Sequence, residues 1–185
     1  MDFSIGIVLF LTFGCISSRK YKSMISVKNG SPWGKWGLPY YCTKGYAHAF
    51  QLKVQDYQGY FLWDDDTGLN GIRLHCTDGT TIESTVGKWG TWTAIDSCPK
   101  GNLQQFSLQV EKHQGIHDDT AANNIRFKCE FGVVLTGRGH NWGNFEDWSE
   151  SCAPGFICGI VTRMDDDQGI GDDTALNDVK FYCCD

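Results

Sequence analysis

The sequence predicts an all-β protein, stapled by disulfides and built as three similar sheets about a pseudo-threefold axis. Three observations predict it. Glycine is frequent, at 22 of 185 residues, and aromatics make up 14%, a composition suited to short strands and many turns. Apolar residues alternate with polar ones at period two, and past the first 18 residues no segment sustains a helical period. One set of motifs occurs three times along the chain, which marks repeated supersecondary units.

The elements follow in order. Residues 1–18 hold the apolar run Ile5 to Ile16 followed by Ser17 and Ser18. The run is shorter than the roughly 20 residues a membrane span needs. It reads as a secretory signal peptide cut near Ser17 or Ser18, although its first residues carry Asp2 and no Lys or Arg. The remainder, 19–185, reads as one domain with repeat units at about 26–79, 80–132 and 133–185.

Trp36, Trp89 and Trp142 each precede a glycine and lie 53 and 53 residues apart. Trp36, Trp89 and Trp142 are therefore expected to pack in the core or between units. A C-x2-G step follows in each unit, at Cys42, Cys98 and Cys152. Next come the alternating runs Phe50-Leu52-Val54, Phe106-Leu108-Val110 and Ile160-Thr162-Met164, the pattern of half-buried strands. The strongest signal is D-D-T-x-x-N-x-[IV]-[RK]-[LF]-x-C, which starts at Asp65, Asp118 and Asp172. Each unit would then hold about four short strands. A sheet of this size cannot bury a face alone, so three would pack inner face to inner face.

Cys15 leaves with the signal. Eight cysteines remain: Cys42, Cys76, Cys98, Cys129, Cys152, Cys158, Cys183 and Cys184. An even number in an exported chain implies four disulfides. Repeat equivalence pairs Cys42 with Cys76 and Cys98 with Cys129. It leaves open which of Cys152 and Cys158 takes Cys183 and which takes Cys184. No C-x2-C pair occurs, so zinc is not expected.

Sixteen Lys and Arg against 22 Asp and Glu give a charge of −6, which argues against a nucleic-acid partner. The 41% hydrophobic content supports a real core. No membrane association is expected once the signal is removed.

The W-G, C-x2-G and D-D-T-x-x-N motifs in three copies, with the terminal Cys183-Cys184, resemble the vitelline membrane outer layer protein I family. The resemblance covers about Ser26 to Asp185. It implies a β-prism of three Greek-key sheets, secretion, an outer-coat location in egg layers, and a lectin-like architecture. It also implies a weak transferase activity on N-acetylglucosamine oligomers, attributed to a family member.

The candidate residues divide by whether the repeat accounts for them. Asp65, Asp118 and Asp172 could serve as paired carboxylates for glycoside chemistry, joined by Glu146, Asp147 and Glu150. A motif present three times is better read as a turn in which Asp, Thr and Asn bind local backbone. Trp33 and Trp63 have no counterparts in the other units, and the first unit holds three extra residues before Asp65, within the stretch Tyr60-Phe61-Leu62-Trp63-Asp64. Trp33, Tyr60 and Trp63 are thus the candidate ligand contacts, because sugars stack on exposed aromatic rings. The acidic stretch Asp165-Asp166-Asp167 with Asp172-Asp173 reads as a solvated face. His113 and His117 sit in a turn-rich region and are not expected to bind metal. Asn29-Gly30-Ser31 is a glycosylation sequon.

No nucleophile motif is found. The expectation is a secreted, monomeric structural or carbohydrate-binding protein of an extracellular coat or secretion. Glycans or coat and mucin-type glycoproteins would be its partners, and it needs no cofactor. The alternative is a weak glycosyltransferase or glycosidase.

Overall fold

A computed structural model describes residues 19–56, 68–111, 122–165 and 176–185. The described residues are all-β, in three antiparallel sheets. Each sheet is built on one long hairpin. β4 (Ala47–Val54) and β5 (Leu69–Cys76) centre the first, β9 (Leu103–Val110) and β10 (Ala122–Cys129) the second, and β13 (Phe156–Met164) and β14 (Leu176–Cys184) the third. These are the strands the alternating runs and the I-R-L-x-C runs predict.

Short strands complete each sheet. On the far side of β5 lies β6 (Thr81–Glu83), and on the far side of β10 lies β11 (Val134–Thr136). Each is reached by a tight turn in which Gly79 or Gly132, at φ 83° and 84°, supplies the left-handed residue that other residues adopt only with strain. In the third sheet this place is taken from the other end of the chain. There β1 (Ser23–Ile25) pairs with β14, Ile25 opposite Phe181.

The long strands β4, β9 and β13 are flanked in the same rotary fashion. β7 (Thr91–Trp92) and β8 (Asp96–Ser97) pair with β4, β12 (Asn144–Phe145) pairs with β9, and β2 (Lys35–Trp36) and β3 (Tyr40–Tyr41) pair with β13. The three sheets are therefore offset from the sequence repeat. Each takes a flanking strand from the stretch beyond its own hairpin, and the third closes the circle with residues 23–41.

The inner faces meet on the axis. Phe50, Phe106 and Ile160 of β4, β9 and β13 are fully buried, as are their partners Leu74, Phe127 and Phe181. Four of the six are phenylalanines, in ring contacts of 4.7 Å (Phe50–Phe127), 4.8 Å (Phe106–Phe181) and 5.2 Å (Phe127–Phe181). Tilted and edge-on contacts of this kind suit the ring quadrupole. Each such side chain taken out of water is worth about 1.5–3 kcal/mol.

All eight predicted cysteines are paired. Cys42–Cys76 and Cys98–Cys129 form as the repeat indicates, and the open choice resolves to Cys152–Cys183 and Cys158–Cys184. Because sheets and repeats are offset, the three equivalent bridges cross from sheet to sheet. Cys42 follows β3 of the third sheet and Cys76 ends β5 of the first. Cys98 leaves the first sheet for Cys129 of the second, and Cys152 leaves the second for Cys183 of the third. One end of the prism is thus ringed by disulfides. Cys158–Cys184 alone joins strands of one sheet, β13 and β14.

Candidate functional site

The opposite end of the prism gathers the tryptophans. Gly34, Gly90 and Gly143 all have positive φ (75°, 84° and 73°). A Cβ on them would collide with the backbone carbonyl of Met164, Val54 and Val110 respectively, the last residues of β13, β4 and β9. Only glycine fits such a corner. Two residues before each corner tryptophan an amide donates to one strand carbonyl: Ser31 N to Asn177 O at 2.8 Å, Gly87 N to Asn70 O at 2.6 Å, and His140 N to Asn123 O at 2.9 Å.

These bonds fix the true equivalence as Trp33, Trp89 and Trp142. The sequence spacing selects Trp36 instead, because W-G occurs twice in Trp33-Gly34-Lys35-Trp36-Gly37 and the second copy gives the even interval. Trp33 therefore does have counterparts. Trp36 takes the place of Trp92 and Phe145 on the outer sheet faces, with a basic side chain over each ring. Lys180 lies 4.2 Å from Trp36, Arg73 3.8 Å from Trp92, and Arg126 4.7 Å from Phe145. Nor is the tryptophan set a core feature. Trp33 is 57% exposed, Trp89 47% and Trp36 36%.

The asparagine of the D-D-T-x-x-N motif lies inside the strand rather than in a turn. Asn70, Asn123 and Asn177 are buried near the starts of β5, β10 and β14. Their carbonyls hold the corners, and Asn70 Oδ1 also accepts from Trp89 N at 3.3 Å. The asparagine is thus a scaffold for the tryptophan corner. Asp65, Asp118 and Asp172 lie outside the described residues, as do Tyr60, Trp63, His113 and His117 and most of the acidic stretch from Asp166. The described flanks of those segments, Asp56 and Gly68, Glu111 and Ala122, Asp165 and Leu176, all stand at the tryptophan end.

Within that end the threefold pattern is broken at one corner. His140 stacks on Trp142 at 4.5 Å and 16°, and its Nε2 lies 2.7 Å from Gln55 O of the first sheet. Among the described residues Trp33 and Trp89 carry no such aromatic cover, although Lys88 Nζ lies 4.6 Å from the centre of the Trp89 ring, and both rings stay exposed. Such rings can grip a sugar, whose C–H face suits an aromatic ring and whose hydroxyls suit carboxylates and amides.

Glu146, Asp147 and Glu150 are exposed on the segment from β12 toward Cys152, which recedes along the second sheet toward the disulfide end. They do not gather at the tryptophan end. Asn29 donates its side-chain amide to Leu108 O at 2.8 Å, and its Oδ1 is buried. All eight described cysteines are in disulfides, so none offers a thiolate for catalysis. Among the described residues no helix is long and apolar enough to cross a membrane.

The family model for vitelline membrane outer layer protein I matches residues 23–185. The vitelline membrane outer layer protein 1 homolog of Mus musculus is 44% identical over 173 residues, 89% of this chain and 85% of that protein. The Homo sapiens homolog is 46% identical over 172 residues, 89% of this chain and 84% of that protein. Among solved structures, Calystegia sepium agglutinin superposes with a TM-score of 0.57 at 14% identity, over 90% of this chain and 98% of that one. Artocarpin in its mannotriose complex superposes at 0.54 and 14% identity, over 88% and 98%. At such identity these lectins share the β-prism fold alone. The match over residues 23–185 and the close mammalian relatives establish that this chain belongs to the vitelline membrane outer layer protein I family.

Proposed function

We propose that this protein is a secreted component of an extracellular coat or secretion that holds neutral glycans at the tryptophan end of its prism. The observation that carries the reading is the pair of exposed rings, Trp33 and Trp89, set on rigid glycine corners beside the flanks of three acidic segments. A rigid aromatic platform binds at low entropic cost. The stretch with Tyr60 and Trp63 would extend it. The fold supports the reading by analogy, since it is shared by Calystegia sepium agglutinin and by artocarpin, a lectin with mannose specificity whose structure is also known with mannotriose. The four disulfides, together with the reading of residues 1–18 as an export segment, support an oxidising, extracellular setting, and a monomer is the expected state.

A purified mature chain incubated with an N-acetylglucosamine hexamer tests this. We expect binding by calorimetry, with the hexamer unchanged by mass spectrometry. Trp33→Ala and Trp89→Ala together should weaken binding by about tenfold or more, since stacking is worth of the order of 1 kcal/mol per ring, with no fall in melting temperature. Unchanged affinity in that variant would overturn the site. Longer or shorter oligomers, lost on changing Asp65, Asp118 and Asp172 to Asn, would place the protein among glycosyltransferases or glycosidases instead. The acidic flanks at the same end keep that outcome in view.

A further inference from the structure

The outer faces of the three sheets repeat one device, a cation laid on an aromatic ring, but its electrostatic completion differs. In the first sheet Arg73 lies over Trp92 and donates from Nε to Glu83 Oε2 at 2.8 Å. Glu83 is its direct cross-strand partner on β6. In the second sheet Arg126 holds the equivalent place, with Phe145 at 4.7 Å and Trp148 at 4.6 Å from its guanidinium carbon. Its cross-strand partner on β11 is Thr136. The carboxylate is missing, and Arg126 Nε is buried with no hydrogen-bond partner. Among the described residues its side chain makes one bond, a long one, Nη2 to Glu146 O at 3.5 Å.

A buried guanidinium nitrogen without an acceptor is costly. The aromatic rings hold the group in place and reduce its freedom to turn toward water. Lys128 stands two residues on, on the same face, over the same Trp148 ring at 4.8 Å. Among the described residues no carboxylate lies within ion-pair distance of either cation. Glu146, Asp147 and Glu150 are exposed on the neighbouring segment and leave both unpaired. The net charge of −6 does not override this local field, because exposed charges farther than about 10 Å are screened at ordinary salt.

We propose that Arg126, with Lys128 and Thr136, forms an anion site on the outer face of the second sheet, built to take the carboxylate or sulfate ester of an acidic glycan. The Arg73–Glu83 pair is the internal template. An incoming anion would accept from the exposed Nη2 of Arg126, on the cation that Glu83 neutralises in the first sheet, with the Thr136 hydroxyl as a further donor. That a sugar carries the anion rests on the glycan reading above; the site itself is separate from the tryptophan end.

The test titrates the full mature chain with a hyaluronan octasaccharide, which bears carboxylates alone, and a chondroitin 4-sulfate octasaccharide. We expect binding that falls at least about tenfold in Arg126→Gln, the scale of a lost bond to a charged group. Thr136→Glu should abolish it too while leaving the melting temperature equal or higher, because it rebuilds the Glu83 arrangement. Thr91→Glu, the same change of charge at an exposed residue of β7 in the first sheet, should bind as the native chain does. Binding of both probes assigns a carboxylate pocket; binding of the sulfated one alone assigns a sulfate pocket. The proposal is overturned if neither probe binds, or if Thr136→Glu leaves affinity intact. It is equally overturned if Thr91→Glu and Thr136→Glu weaken binding alike. Loss of hexamer binding with acidic probes still bound would sink the tryptophan-end reading alone, and the reverse would sink this one.

Discussion

Asp178 illustrates how one side chain can be set against its own environment. It occupies on β14 the place of Asn124 on β10. Asn124 accepts from Ile125 N at 2.9 Å and donates to Gly137 O at 3.0 Å. Asp178 repeats the first bond, from Val179 N at 2.8 Å, but an ionised carboxylate has no proton for the second. Burial pushes its carboxyl above the usual carboxylate range, against the Val179 amide and the charges of Lys180 and Arg163. The folded form therefore binds the proton more tightly than the unfolded chain. Stability is greatest below the ordinary carboxylate value and falls as pH climbs through the raised one. Asp178→Asn should remove that slope and, by supplying the amide of Asn124, raise stability at pH 7 by about 1 kcal/mol; denaturant melts at pH 4 and pH 7 would show it. His75, held down by burial and then by Arg73 and His48, slopes the opposite way and makes a built-in comparison. At this scale the sequence is readable where one residue type has one use, as with the paired cysteines. It is ambiguous where types repeat locally. Trp33 and Trp36 are three residues apart, and the backbone bond from Ser31 to Asn177 and the Gly34 corner tell them apart.

Among the elements, the long strands are legible because eight or nine alternating residues carry a period. The flanking strands of two or three residues carry none, so β1, β6 and β11 are invisible to pattern. They matter nonetheless. Ile25, Ile82 and Leu135 sit opposite Phe181, Leu74 and Phe127 and close the three inner faces. Ile25 and Ile82 are buried, while Leu135 is partly exposed. Ile25→Ala should cost about 2–4 kcal/mol and Leu135→Ala visibly less, because the cavity term grows with burial. Equal losses, measured by urea melts, would mean that β1 is held by its backbone ladder rather than by its side chain. The outer faces were harder to read for a different reason. A cation on an aromatic ring looks alike in all three sheets until the cross-strand partner, Glu83 or Thr136, is known, and register is not written in spacing.

At the scale of the whole molecule, the threefold repeat announces three equivalent sheets, and the structure supplies them. The repeat does not announce that the sheets are cut out of phase with it, because a sequence period fixes an interval and not where each element begins. The six side chains on the axis are the common core. Phe127, which touches Phe50, Phe106 and Phe181, lies at its centre. Phe127→Ala should cost about 3–5 kcal/mol and lower the unfolding of the entire domain as one cooperative step. A biphasic melt would instead show that the sheets unfold separately.

That phase offset also sets an order in time. The hairpins of the first and second sheets, with their flanking strands, are complete within residues 47–145, so they can assemble as the chain emerges from its N-terminus. The third cannot. Its strands at residues 23–41 must wait for partners at 156–184, and a pairing over so long a loop is slow to form. During synthesis Tyr21, Met24 and Tyr41 would stay uncovered the longest, with Cys42 already able to meet Cys76. The bridge nearest the start of the chain can thus lock before the sheet it borders exists, tethering the waiting segment beside the place it will finally occupy.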